Sequence, residues 1–266
     1  MHCKNCDTNL IPESEYCHTC GGKIIRKRLT IKNLFEHISE TFFNYDNKLL
    51  RTFIDLFIKP ELVINSYISG VRKRYVNPLS FFGVSLTLSG LAVFVIKKFY
   101  VKYFDFSSMF SSQIYNNDIS KQLMENSTNS AFEYSSLIYS AMVPFMAMIS
   151  IIVFYNKRYN LTEHVIIYLY SMSALSIVSV ILGQIVLFLI PEKYMLFTIT
   201  FYFIMFFYHA YILKRIFKLS PAQLILKILF FLVVFLAMYI VFSILMAIFM
   251  ILTGAINFEN FKPEAS

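Results

Sequence analysis

The chain has 266 residues, 57% of them apolar and 15% charged, with 29 Phe, 18 Tyr and no Trp. Its mean hydropathy is +0.60; a soluble chain of this length lacks the polar surface to cover so much apolar matter, so a water-soluble globule is excluded and lipid is the alternative solvent. The net charge of +8 calls for an anionic counterpart, either lipid headgroups or nucleic acid.

The N-terminus is polar, with no apolar core or small-residue cleavage site, so an uncleaved chain whose N-terminus stays in the cytoplasm is expected. All four cysteines lie in the first twenty residues, as Cys3-Lys4-Asn5-Cys6 and Cys17-His18-Thr19-Cys20. Each CxxC turn aims two sulfurs at one ion, and the ten residues between the pairs allow the chain to turn back and complete a tetrahedral S4 site. Gly21 and Gly22 follow the second pair, and Asp7 takes the equivalent place after the first. The spacing predicts a zinc ribbon over 1–28 with Cys3, Cys6, Cys17 and Cys20 as ligands and structural Zn2+ as cofactor. Two disulfides are the competing reading, which a reducing cytoplasm disfavours. An iron–sulfur cluster would use other ligand runs. His2 and His18 read as solvated neighbours. A closed S4 site leaves no position for substrate, which argues against zinc catalysis.

Cytoplasmic amphipathic helices are expected over 29–77. A basic run, including Arg26, Lys27 and Arg28, leads into a helical pattern with Leu34, Phe35, Ile38 and Phe42 on one face. Asn44 to Asn47 reads as a turn. A second helix carries Leu49, Leu50, Phe53, Leu56 and Phe57 and breaks at Lys59-Pro60. Pro60 then opens a third that ends at Gly70. These helices either lie on the inner face of the bilayer or form a small bundle packed on the membrane domain. Arg72, Lys73 and Arg74 stand directly before the first span. A basic run in that position anchors topology and contacts anionic lipid, so nucleic acid is set aside as a partner.

Five apolar runs reach the roughly 20 residues that a bilayer requires: Pro78–Ile96, Leu137–Phe154, Val165–Ile190, Met195–Leu213 and Ile225–Leu252. The fold expected is an all-α membrane protein, with a five-helix transmembrane domain over 78–256 and an external tail over 257–266. Of the 24 Lys and Arg, 18 fall before the first span or in the second and fourth loops. This places the N-terminus inside, the C-terminus outside, and the protein in a cytoplasmic (inner) membrane. Lys97 and Lys98 oppose the rule but end a span, where they snorkel. The Ser/Asn-rich loop 97–136 is expected to be a mobile loop or a small external cap. Two stripes of small residues predict helix-packing faces: Ser80, Gly83, Thr87 and Gly90 on the first span, and Ser173, Ser176, Ser179 and Gly183 on the third. Pro144 interrupts the second span.

Few polar groups reach the membrane half. Glu163, His164, Gln184 and His209 are the candidates for a ligand-binding or proton-linked cluster, because an intramembrane ionisable group is costly. The competing reading is structural: Glu163 suits a first helical turn, and His164 and His209 can meet as a hydrogen-bonded contact between hairpin partners. No phosphate loop, nucleophile elbow, HExxH or paired inward carboxylate is present, so the protein is read as non-enzymatic.

The order of parts resembles the bacterial domain-of-unknown-function 3667 family. The resemblance rests on Cys17-His18-Thr19-Cys20-Gly21, on Leu49-Leu50-Arg51-Thr52-Phe53 with Lys59-Pro60, and on Tyr67-Ile68-Ser69-Gly70 running into Arg72-Lys73-Arg74-Tyr75-Val76-Asn77-Pro78. Glu163-His164-Val165 and Lys214-Arg215-Ile216-Phe217 also fit. Family members often carry further histidines after the Glu-His pair, where this chain has Tyr168 and Tyr170. The resemblance implies the architecture and no activity. The leading expectation is a membrane anchor or sensor whose cytoplasmic ribbon docks a protein partner or anionic lipid. A subunit of a transporter or channel for a small or lipid-like ligand comes second, and a membrane enzyme third.

Overall fold

A computed structural model describes residues 2–22, 24, 30, 48–100, 130 and 132–252. Arg26, Lys27 and Arg28, the amphipathic pattern over 34–42, the turn over 44–47, most of the loop 97–136 and the tail 257–266 lie outside the described residues. The chain divides into two compact units, Met1–Lys48 and Leu49–Ser266.

The first unit is built from two copies of one turn, offset by fourteen positions. In the first copy the Cys3 N–H donates to the Thr8 carbonyl (2.9 Å), and the Asp7 N–H donates to the Cys3 carbonyl (2.8 Å). In the second, Cys17 bonds Gly22 (2.9 Å) and Gly21 bonds Cys17 (2.9 Å) in the same pattern. Both turns require a left-handed residue, supplied by Asp7 (φ 58°) and Gly21 (φ 68°). Glycine takes that conformation freely and aspartate is among the few residues that tolerate it. The pairing continues outward through an antiparallel bridge between His2 and Asn9 and through the Ile24 N–H to the Glu15 carbonyl (2.8 Å).

The second unit is helical among its described residues. Two short helices, α1 (Lys48–Ile58) and α2 (Pro60–Ile68), precede five long ones: α3 (Pro78–Val95), α4 (Ser135–Val153), α5 (Leu161–Leu189), α6 (Tyr194–Phe217) and α7 (Pro221–Leu252). The five long helices are long and apolar enough to span a bilayer, and their positions match the five runs expected from sequence. A π-turn, Ile96–Tyr100, prolongs α3, and there Lys98 lies over the rings of Phe94 (5.7 Å) and Phe99 (5.4 Å).

Local chemistry sets the helix ends. Pro60 starts α2 at a position where its missing N–H is harmless. At the other end Gly70 (φ 95°) reverses the chain, with the Val71 N–H bonded to the Ser66 carbonyl (2.8 Å) and the Gly70 N–H to the Tyr67 carbonyl (3.1 Å); this is the Schellman pattern. Asn77 caps α3 by accepting the Leu79 N–H (2.9 Å). Asn160 and Glu163 form a reciprocal capping box on α5 (2.9 and 2.8 Å).

Helix α5 is the centre, with α2, α3, α4 and α6 packed around it. Of the two arrangements left open for the helices before the first span, α1 and α2 adopt packing on the helical body: Leu56, Val63 and Ile64 are fully buried in its core. The serine-rich stripe of α5 is a packing face, as expected. Ser176 bonds Ser89 of α3 (2.7 Å), and a Cβ on Gly183 would come within 3.3 Å of Tyr194. The stripe on α3 is a correction except at Gly90, which is half-buried and where a Cβ would lie 4.0 Å from Ser136 Oγ. Ser80, Gly83 and Thr87 are exposed, and nothing lies within 4 Å of a Cβ on Gly83. The face of α3 that packs carries Phe81, Phe82, Ser85 and Ala92 instead, because aromatic rings fill the space between α3 and the broad, small-residue surface of α5.

Candidate metal centre and buried polar sites

The twin turns bring Cys3, Cys6, Cys17 and Cys20 together, with all four sulfurs within 4.8 Å of one another. Sγ of Cys3 lies 3.7 Å from Cys20, and Sγ of Cys6 lies 3.6 Å from Cys17. These separations are far beyond the ~2.05 Å of a disulfide. They fit the edge of about 3.8 Å in a sulfur tetrahedron whose metal–sulfur bonds are about 2.3 Å. The first cysteine of each pair is buried and the second exposed. The Asn5 side chain, followed by the Gly22 N–H and the Cys6 thiol, lowers the Cys20 thiol to about 6. Backbone N–H groups of Cys20 and Thr19 lower Cys17. At Cys3 the amides of Asn5 and Cys6 pull downward, but burial and the Cys6 and Cys20 thiols together raise it to about 11. Ionising the whole set at these distances demands a cation at the centre. The donor set therefore fits a metal ion, and the four cysteines can hold one. His2 faces away, its Nδ1 3.1 Å from the Asp7 carbonyl, and His18 is exposed.

In the second unit, polar side chains close the backbone where it leaves the helices. The Leu56 carbonyl points to position 60, where proline offers no N–H; the Tyr208 hydroxyl donates to it instead (3.2 Å). Tyr211 donates likewise to the Ile58 carbonyl (3.2 Å). The hinge at Val76 is held from both sides. Its N–H donates to Thr52 Oγ1 (3.0 Å) and its carbonyl accepts the Tyr170 hydroxyl (2.6 Å). Tyr75 donates to Asp55 (2.8 Å); burial, and then that carboxylate, hold its phenol above the usual range. Two lysines act in the same way on the long helices. Lys157 donates to the last carbonyl of α6, Phe217 (3.0 Å), and Lys227 to the last carbonyl of α4, Val153 (2.6 Å). Glu61 pairs with Arg215 through two bonds (3.0 and 2.5 Å), which lowers the Glu61 carboxyl below its ordinary value.

The four polar candidates of the membrane half have separate surroundings. Glu163 serves the α5 capping box. His164 is fully buried. Its Nδ1 lies 2.9 Å from Ser150 Oγ, its ring lies beside Tyr159 and Phe217, and its Nε2 has no hydrogen-bond partner. His209 stacks on Tyr168 (6.0 Å, 20°) and bonds the Met205 carbonyl through Nδ1 (2.8 Å). Gln184 is half-buried on α5. Of the basic hinge, Arg72 and Arg74 are exposed, with their guanidinium groups over the rings of Tyr67 (5.6 Å) and Tyr75 (5.4 Å).

Two clefts adjoin inside the helical body. One, about 300 Å³, is apolar and lies between α4, α5, α6 and α7, with His209 and Lys227 on its wall. The other, about 230 Å³, is lined by hydroxyls from α3, α4, α5 and α6. The sequence reading missed the second cleft and the tyrosine bonds. One signal was readable for the latter: a proline four residues after Leu56 in an apolar helix leaves an acceptor that another element has to satisfy.

The described residues thus form a helical body with five helices long and apolar enough to span a membrane, and a separate unit whose four cysteines could hold a metal ion. Residues 46–90 match the family described as "Protein of unknown function (DUF3667)", in agreement with the resemblance drawn from Leu49–Phe53, Lys59-Pro60 and the stretch from Tyr67 to Pro78; the other motifs quoted for it lie outside the match. No curated protein and no solved structure matches the chain. The matched stretch comprises α1, α2, the hinge and most of α3; it contains Thr52, Asp55, Tyr75 and Val76, the residues through which that segment locks its own hinge.

Proposed function

We propose that the protein is a non-enzymatic anchor or sensor of a cytoplasmic membrane, with a structural zinc ion in a ribbon that docks a cytoplasmic protein partner. The observation that carries this reading is the closed set of four sulfurs on twin turns. Four protein ligands fill a tetrahedral ion, leave no open position for chemistry, and make a rigid knob on a unit too small to build a large core. Zinc is favoured over other metals by the all-sulfur donor set in a reducing compartment. The N-terminus and the second and fourth loops face the cytoplasm, by the excess of Lys and Arg on that side. Arg26, Lys27, Arg28, Arg72, Lys73 and Arg74 contact anionic lipid there.

Elemental analysis of purified protein tests the metal: one zinc per chain is expected, and none after Cys17→Ser. Capture of partners by the wild type but not by Cys17→Ser, with both inserted equally in membranes, supports docking. Modification of the N-terminal thiols by a membrane-impermeant reagent on intact cells would sink the orientation.

A second reading, a transporter or channel subunit for a small or lipid-like ligand, draws on the adjoining clefts. It requires flux through reconstituted protein that is lost on His209→Ala or Gln184→Leu and kept on Cys17→Ser.

A further inference from the structure

The two clefts are one path. Met172 of α5 and Tyr202 and Met205 of α6 line both, so the apolar section runs directly into the hydroxyl section. On α6 the lining residues extend from Tyr194 to Leu213, a rise of about 28 Å, close to the roughly 30 Å thickness of a hydrocarbon core. Tyr202 and Phe206 are exposed, so the path is open laterally along α6, on the side where lipid lies.

Its two ends differ in chemistry. The long section is walled by Met142, Met146, Met172, Met205 and Phe231, flexible thioethers and a ring that adapt to a mobile chain. The short section presents Ser89, Tyr139, Ser176, Ser179 and Thr198, and no charged residue lines it. Ser89 and Ser176 bond each other, and Thr198 bonds the Tyr194 carbonyl. The Tyr139 hydroxyl is buried and makes no well-formed hydrogen bond, with the Ser176 and Ser85 hydroxyls beside it. A buried hydroxyl without a well-formed hydrogen bond is a group that a ligand can satisfy.

We propose that this path holds one single-chain amphiphile with a neutral, hydroxyl-bearing head. The head lies among Tyr139, Ser176 and Ser179, and the chain runs along the methionines toward His209. The absence of lining charge in the hydroxyl section excludes an ionic head there. At the far end, Lys227 donates to the Val153 carbonyl and to Asn156 (3.4 Å). The proposal rests on the membrane reading of the helices and is independent of the zinc unit.

The test uses the full chain in nanodiscs and 1-monooleoylglycerol with a diazirine in its acyl chain, read by peptide mass spectrometry. Saturable labelling is expected around Met172 and Met205, competed by unlabelled 1-monooleoylglycerol and not by oleate. Tyr139→Phe is expected to weaken competition about tenfold, the loss of one hydrogen bond of about 1.4 kcal/mol. The same variant removes a hydroxyl that makes no well-formed hydrogen bond, so the ligand-free protein is expected to keep the stability of the wild type. A merely structural tyrosine would instead lose stability. Met172→Trp, which fills the junction, is expected to abolish labelling; if it does not insert, Tyr139→Phe decides alone. Unsaturable labelling, equal competition by Tyr139→Phe, or preference for oleate would overturn the proposal. Zinc content and partner capture stay unchanged in either variant, so this failure is distinguishable from failure of the docking reading.

Discussion

The two units of this chain are stabilised in opposite ways. In Met1–Lys48, four sulfurs carry the structure: among its described residues the buried apolar class holds only Cys3 and Cys17, and two short backbone turns position them. In Leu49–Ser266 no single group dominates. Its core draws buried residues from α1 to α6, with α7 packed against them, and its irregular backbone is closed by three tyrosines, a threonine and two lysines. A small unit without a core concentrates its stability in one centre, whereas a large helical body in lipid spreads it over packing and satisfied carbonyls.

The largest effect expected follows from that concentration. Cys17→Ser, or chelation of the metal, is expected to remove the metal completely and unfold the first unit; structural zinc sites contribute on the order of 10 kcal/mol. The thermal transition of the body, followed by helix circular dichroism in detergent, is expected not to move. A common shift of both would break the comparison.

Within the body, Tyr170→Phe strips the Val76 carbonyl of its donor in a region with little water. A loss of about 1–3 kcal/mol is expected, read as a lower midpoint in detergent-induced unfolding. Gly183→Leu is expected to cost a similar amount, about 1–3 kcal/mol of overpacking, since a Cβ there meets Tyr194 and Phe197. Gly83→Leu is expected to cost nothing measurable in the monomer, because its Cβ meets no neighbour. Equal effects at the two glycines would refute the assignment of packing faces.

A double-mutant cycle sharpens the point about carbonyls. Pro60→Ala restores the N–H that Leu56 lacks, so it is expected to reduce the cost of Tyr208→Phe by about 1 kcal/mol. Additive effects would show that the tyrosine only packs. The smallest effect belongs to Glu61. Its folded pKa is depressed by Arg215, so its contribution is present above the unfolded carboxylate value and is lost as pH falls through the lower folded one. Both groups are partly exposed (42% and 25%), and an exposed pair of this kind contributes about 1 kcal/mol at most. Glu61→Gln is expected to lower the midpoint slightly at pH 7 and to leave it unchanged once the pH has fallen below the depressed folded value.

Much of this molecule was legible in the sequence, for identifiable reasons. The cysteine spacing placed four ligands because the chemistry is local. The five long helices followed from apolar run length, and Pro60, Gly70 and Glu163 marked helix ends because such signals act within a few residues. The faces were legible only in part: the small-residue stripe of α5 packs as read, whereas Gly83 on the α3 stripe meets no neighbour. Helix α7 has the highest mean hydropathy of the five, 3.0, and 0% of its apolar window is buried, whereas the less apolar α5, at 2.3, is the most buried. In water that order would be reversed. In lipid, apolar contact gives no drive for association, and serines and glycines gather the neighbours. Hydropathy therefore located the helices but not the centre. The tyrosine bonds were hidden because their partners lie 94 to 153 residues apart.

One of those separations has a bearing on biosynthesis. The bare Leu56 acceptor waits for a phenol 152 residues downstream, so during translation the amino-terminal helix pair remains unfinished until the fourth long helix has been made. A nascent or truncated polypeptide ending before Tyr208 would leave that carbonyl without its phenol donor.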